Sequence, residues 1–137
     1  MKKGITFGAF DLFHAGHILM LKEAKTICDH LIVAIQTDPS LDRQKKNSPV
    51  QSIEEREIQV SACRYVDEVI IYDREVDLIE ILETLDWDVR ILGDEYKDKE
   101  FTGRDKHLEK CYFNKRPHNF SSSELRARVA NEHFKSK

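Results

Sequence analysis

Four short apolar runs punctuate this chain: Ile5-Thr6-Phe7, Leu31 to Ile35, Val69-Ile70-Ile71, and Val89-Arg90-Ile91-Leu92. Their length and near-continuous apolar character predict strands buried on both faces. Between the first two runs, Ile18, Leu21, Ala24, Ile27 and Cys28 recur at helical spacing. Leu78, Ile81, Leu82 and Leu85 do the same between the third and fourth. A further helix is expected to start at Ser52, whose hydroxyl can cap the free amides while Glu55 reaches back to complete a capping box.

Strands alternating with helices require right-handed crossovers, which lay down a parallel sheet covered on both faces. The expected fold class is therefore α/β, a Rossmann-like parallel sheet with helices on both faces. Ligands in such sheets sit beyond the carboxyl ends of the strands, so the residues just after each strand are the place to look for chemistry. Asp38 to Gln51, with Pro39, Pro49 and many polar residues, reads as a long loop within one domain covering residues 1–137.

Composition narrows the function. The 40% apolar and 34% charged content is that of a soluble globular chain. No apolar run approaches the roughly 20 residues needed to cross a bilayer, and the N-terminus leads into a strand, so a cytoplasmic protein without membrane attachment is expected. Cys28, Cys63 and Cys111 are odd in number and widely separated, which suggests neither a disulfide framework nor a structural zinc site. A net charge of -3 argues against nucleic acid as a partner, while local basic clusters (Arg43, Lys45 and Lys46; Lys115 and Arg116) suit a small polyphosphate as well as a solvated surface.

The informative segment follows the first strand: Gly8-Ala9-Phe10-Asp11-Leu12-Phe13-His14-Ala15-Gly16-His17, then a helix. A helix N-terminus offers unpaired amides and partial positive charge to phosphate, and Gly8, Ala9 and Gly16 allow close approach of a ligand to the backbone. His14 and His17 stand three apart, so a first helical turn directs both imidazoles toward one volume. Capping and a zinc pair are the alternatives; helical zinc pairs usually stand four apart, and no third ligand suggests itself. Ser121 with Glu124 forms a second capping-box pattern, beside which Ser122, Ser123 and the planar fork of Arg116 suit phosphate oxygens.

His14-Ala15-Gly16-His17 resembles the His-x-Gly-His hallmark of the cytidylyltransferase-like nucleotidyltransferases. Arg116-Pro117-His118-Asn119-Phe120-Ser121-Ser122-Ser123 is similar to that family's second signature. Arg64 to Val69 and Leu92-Gly93-Asp94 resemble segments of the glycerol-3-phosphate cytidylyltransferases. The resemblance implies transfer of CMP from CTP to a phosphorylated small molecule, glycerol 3-phosphate being the first choice, by direct attack of the acceptor phosphate on the α-phosphorus. Such a reaction needs alignment and positive charge rather than a protein nucleophile. His14, His17 and Arg116 would be catalytic. Phe7, Gly8, Ala9, Phe10, Asp11 and Gly16 would meet the nucleotide at the first loop, Gly93 and Asp94 at its base and ribose, and Phe120, Ser121 and Ser122 at the last helix. Arg43, Lys45, Lys46 and Arg64 are the candidates for phosphate or substrate.

Mg2+ is expected on the triphosphate with no direct protein ligand, Asp11 being either its indirect partner or only a turn residue. Arg56 and Arg64 also admit surface ion pairing, the preferred reading for both. A homodimer is implied by the resemblance alone. Ala9, Ala15 and Pro117-His118-Asn119 depart from the threonine, large aromatic and Thr-Glu-Gly of the glycerol-3-phosphate enzymes, and Asp77 and Leu78 stand where a base gripping the acceptor phosphate is expected. The alternatives are an adenylyltransferase of the same superfamily and a nucleotide-binding module without turnover.

Overall fold

The computed structural model describes residues 1–115 and 118–135. Strands β1 (Lys3–Gly8), β2 (His30–Gln36), β3 (Glu68–Tyr72), β4 (Val89–Gly93) and β5 (Cys111–Asn114) form one fully parallel sheet in the order β3-β2-β1-β4-β5. Helices α1 (Ala15–Thr26), α2 (Ile53–Ser61) and α3 (Glu75–Thr84) make the first three crossovers. Between β4 and β5, two 3-10 turns and the short α4 (Arg104–His107) replace a full crossover helix, and α5 (Ser122–Lys135) follows β5.

The sheet is covered on both faces, as the apolar runs require. Leu21 and Ala24 of α1 and Val60 of α2 pack on Leu31, Val33, Ile35, Val89 and Ile91. On the opposite face Leu78 and Leu82 of α3, with Trp87, pack on Ile5, Ile32, Ala34 and Tyr72. Alternate residues of β2 thus feed two cores, which is why its run is apolar without a period of two. Full burial of each such side chain stabilises the fold by about 1.5–3 kcal/mol.

All four expected strands form, and α2 begins at the Ser52 cap with both bonds of its capping box in place. Two details differ from expectation. Ile18 faces outward at 39% exposure, so the core stripe of α1 runs through Leu21 and Ala24 toward Cys28. The fifth strand, Cys-Tyr-Phe-Asn, is short, half-buried and flanked by Glu109, Lys110 and Lys115, and it falls below the length at which periodicity speaks. Among the described residues, no helix is long and apolar enough to cross a membrane.

In this order the chain reverses direction between β1 and β4. Their carboxyl ends diverge there, and the loop from Ala9 to Phe13, the segment after Gly93 and the start of α5 converge on the crevice.

Candidate active site

The loop after β1 holds an unusual backbone. Phe10 and Leu12 adopt left-handed conformations (φ 52° and 51°), a costly state for residues with side chains. Burial of Phe10, 5% exposed within the core, offsets that strain, so Phe10 anchors the loop beneath the cavity it lines. Asp11 fastens the loop to two distant segments: its carboxylate accepts from the amides of Val50 (2.8 Å) and Gln51 (2.9 Å) and from Arg126 Nη2 (2.8 Å). Burial raises its pKa, but these hydrogen bonds outweigh it and hold the group below the usual carboxylate value. These three bonds make Asp11 a structural tie between the loop after β1, the long loop and α5.

His14 sits at the N-cap of α1 rather than in its first turn, and the two histidines form a reciprocal capping box. Gly16 N–H donates to His14 Nδ1 (3.0 Å), and His14 N–H donates to His17 Nδ1 (3.1 Å). With both Nδ1 atoms accepting, Nε2 is the donor nitrogen of each ring. The rings lie 3.9 Å apart, so both serve the same volume, as their spacing suggests. His14 Nε2 lies 3.1 Å from Ser122 Oγ. Burial, reinforced by His14, pushes the pKa of His17 down to about 3, so it acts as a neutral hydrogen-bond donor near pH 7. Gly16 is required here: a Cβ would lie 2.8 Å from His14 Cε1 and 3.1 Å from the Phe120 carbonyl.

Two cavities, of about 400 and 390 Å3, open on this point and share the walls His17, Met20, Lys46, Gly93 and Ser122. The first extends over β1, β2 and β3 and is walled by Phe7, Gln36, Arg43, Tyr72, Glu75 and Arg90. The second lies against β4, β5 and α5, among Glu95, Asn114, His118, Phe120 and Ser121. Ser121 Oγ accepts from Glu124 N–H at 3.1 Å, so it caps α5 while facing the second cavity.

The basic candidates divide. Lys46 reaches the seam between the cavities, and Arg43 lines the first while pairing with Glu75 (2.5 Å). Lys45 is exposed and lines neither cavity. Arg64 is also remote from both, its guanidinium 5.2 Å over the Tyr65 ring. Asp94 is exposed and outside both cavities; its neighbour Glu95 lines the second. Arg116 lies outside the described residues.

Arg56 is not a surface residue. It is 2% exposed and donates to the carbonyls of Ala9 (2.9 Å), Gln36 (2.6 Å), Thr37 (2.7 Å), Gln51 (3.2 Å) and Ser52 (3.3 Å). One side chain thereby joins the loop after β1, the end of β2 and the start of α2. The long loop is likewise held, by Asp11 at Val50 and Gln51 and by Asp42, which accepts from the first amide of α3 (2.7 Å). Asp77 and Leu78 have other work: Asp77 accepts from Arg74 N–H at 2.9 Å, and Leu78 is in the core.

Positive charge enters the first cavity from Arg43, Lys46, Arg90 and Arg126 instead. Arg126 was legible once α5 is drawn, one turn from Ser122 on the same face. Arg90 interrupts an otherwise apolar strand, and Glu75 follows β3, where ligands are expected. Among the described residues, no three His, Cys, Asp or Glu gather as a metal site.

A family model described as "Cytidylyltransferase-like" matches residues 5–128. The chain is 40% identical to the glycerol-3-phosphate cytidylyltransferase of Bacillus subtilis over 99 residues, covering 72% of this chain and 76% of that protein. It is 48% identical to the ethanolamine-phosphate cytidylyltransferase of Arabidopsis thaliana over 65 residues, 47% of this chain but 15% of that longer protein. In structure it is similar to a lipopolysaccharide core biosynthesis protein from Thermoplasma volcanium, with a TM-score of 0.66, 25% identity, and coverage of 88% of this chain and 99% of the other.

Proposed function

This chain belongs to the cytidylyltransferase-like family of nucleotidyltransferases, and from that premise we propose that it transfers CMP from CTP to glycerol 3-phosphate, yielding CDP-glycerol and pyrophosphate. The observation that carries the reading is the pair of cavities meeting at His17, Lys46 and Ser122. A reaction between two phosphorylated substrates needs two subsites and one shared wall. The nucleotide's base and ribose occupy the cavity by β4, β5 and α5, and the acceptor occupies the one over β1 to β3.

An acceptor phosphate oxygen attacks the α-phosphorus as the bond to the β-phosphate bridging oxygen breaks. The chain's contribution is alignment and electrostatics. His17 donates from Nε2 to phosphate oxygens at the seam, His14 Nε2 turns from Ser122 Oγ to a phosphate oxygen on the side of the second cavity, and Lys46 brings the charge that a neutral His17 lacks. Mg2+ would be held by the triphosphate with no direct protein ligand, and would supply charge neutralisation there. The proposed assembly is a homodimer, which light scattering measures directly.

The test is pyrophosphate release with CTP and Mg2+ across phosphorylated acceptors, with ATP, GTP and UTP in parallel and a no-acceptor control. CTP with glycerol 3-phosphate is the expected pair. Preference for ATP overturns the cytidylyl assignment, and no release with any pair overturns the transferase reading.

A further inference from the structure

The far end of the first cavity holds a charged cluster that the transfer step does not use. Glu75 Oε1 accepts from Arg43 Nη2 (2.5 Å) and Thr102 Oγ1 (3.1 Å). Among the described residues its Oε2 accepts only from Gln36 Nε2, at 3.4 Å, the outer limit of a hydrogen bond. A carboxylate offers about four lone-pair sites, so Oε2 retains acceptor capacity on a side chain that lines the cavity. Beside it, Arg90 is 4% exposed; it lies over Phe7 and Phe101 at 5.0 and 5.2 Å and donates to the Thr102 carbonyl. Two guanidinium groups against one carboxylate leave this end cationic.

That balance selects among phosphorylated acceptors. An ammonium head would meet Glu75 already paired to Arg43 and would face the charge of Arg90. A quaternary ammonium, moreover, has no proton to donate to Oε2, and a carboxylate head would face Glu75 itself. A neutral hydroxyl can donate to Oε2 while accepting from Arg43 or Gln36, and it adds no charge. Resting on the transferase reading above, we propose that Glu75 is the specificity-determining residue for the acceptor, selecting a phosphorylated polyol by accepting a hydrogen bond from a hydroxyl distal to its phosphate.

The experiment compares kcat/KM for glycerol 3-phosphate with that for its deoxy analogue, propane-1,2-diol 1-phosphate, in the wild type, Glu75→Gln and Glu75→Ala. Phosphoethanolamine is a third acceptor, and calorimetric CTP binding is the control for folding. Losing one hydrogen bond to a charged partner should cost the wild type about 10- to 100-fold on the deoxy acceptor, expressed mainly in KM. In Glu75→Ala the ratio should fall toward one, and Glu75→Gln, which keeps the shape, should move it part of the way. A merely structural role would slow both acceptors equally and leave the ratio intact, which overturns the proposal while the transferase reading stands. Wild-type preference for phosphoethanolamine also overturns it. If the wild type turns over no acceptor with CTP, the reading beneath it fails first and takes the proposal with it.

Discussion

Replacing Arg56 by methionine tests how the site is held together. The methionine keeps most of the apolar stem and removes every donor, leaving the Ala9, Gln36 and Thr37 carbonyls without their short bonds. Each orphaned buried acceptor costs about 1–3 kcal/mol, while relief of burying a guanidinium returns part of that. The expected net loss is about 3–5 kcal/mol, the upper range for one substitution and a large share of the 5–15 kcal/mol typical of a domain. For 137 residues the unfolding entropy is about 0.3 kcal/mol/K, so the melting temperature should fall by roughly 10–17 °C. Arg56→Lys, which keeps charge and three donors but not the planar fork, should lose about half as much. Urea titration with an unchanged m value and a lowered midpoint is the assay. An Arg56→Met midpoint within 1 kcal/mol of wild type would refute the claim that this side chain clamps the three segments.

Three further outcomes follow from the same geometry. His17→Ala and His14→Ala should each lower kcat by on the order of 10²–10³ and cost about 1 kcal/mol of stability, because each removes one half of the capping box; near-normal rates would refute both roles. Because His17 has a pKa of about 3 when folded against 6.5 as its reference value, the unfolded chain binds the extra proton as pH falls below 6.5. Stability from this group is full above that value and declines toward pH 3, by about 1.2 kcal/mol between pH 7 and 5.5. Urea midpoints of wild type and His17→Asn at the two pH values should differ by that increment, and parallel declines would refute the assignment. Asp11→Ala should destabilise by about 2–3 kcal/mol and open residues 38–51 to limited proteolysis, since it unties Val50, Gln51 and Arg126 together; an unchanged digestion pattern would count against the tie.

Local pattern determined the first four strands, the three crossover helices and the Ser52 and Ser121 caps, because burial and free helix amides impose short-range rules. It also brought His14 and His17 together, since neighbours along a helix start are neighbours in space. The comparison with known families adds that residues 5–128 match the cytidylyltransferase-like model. Tertiary structure decided the rest. The fate of a polar side chain depends on which distant backbone it meets: Arg56 found five carbonyls, Asp11 found two amides and an arginine, and Arg64 lies over a neighbouring ring. The far end of the first cavity is assembled from β2, the long loop, α3, β4 and the segment before α4, five pieces far apart in the chain. No local spacing encodes that meeting, because strand order and crossover geometry set it. The same holds for the neutral state of His17, which follows from burial by residues that the chain places around it only when folded.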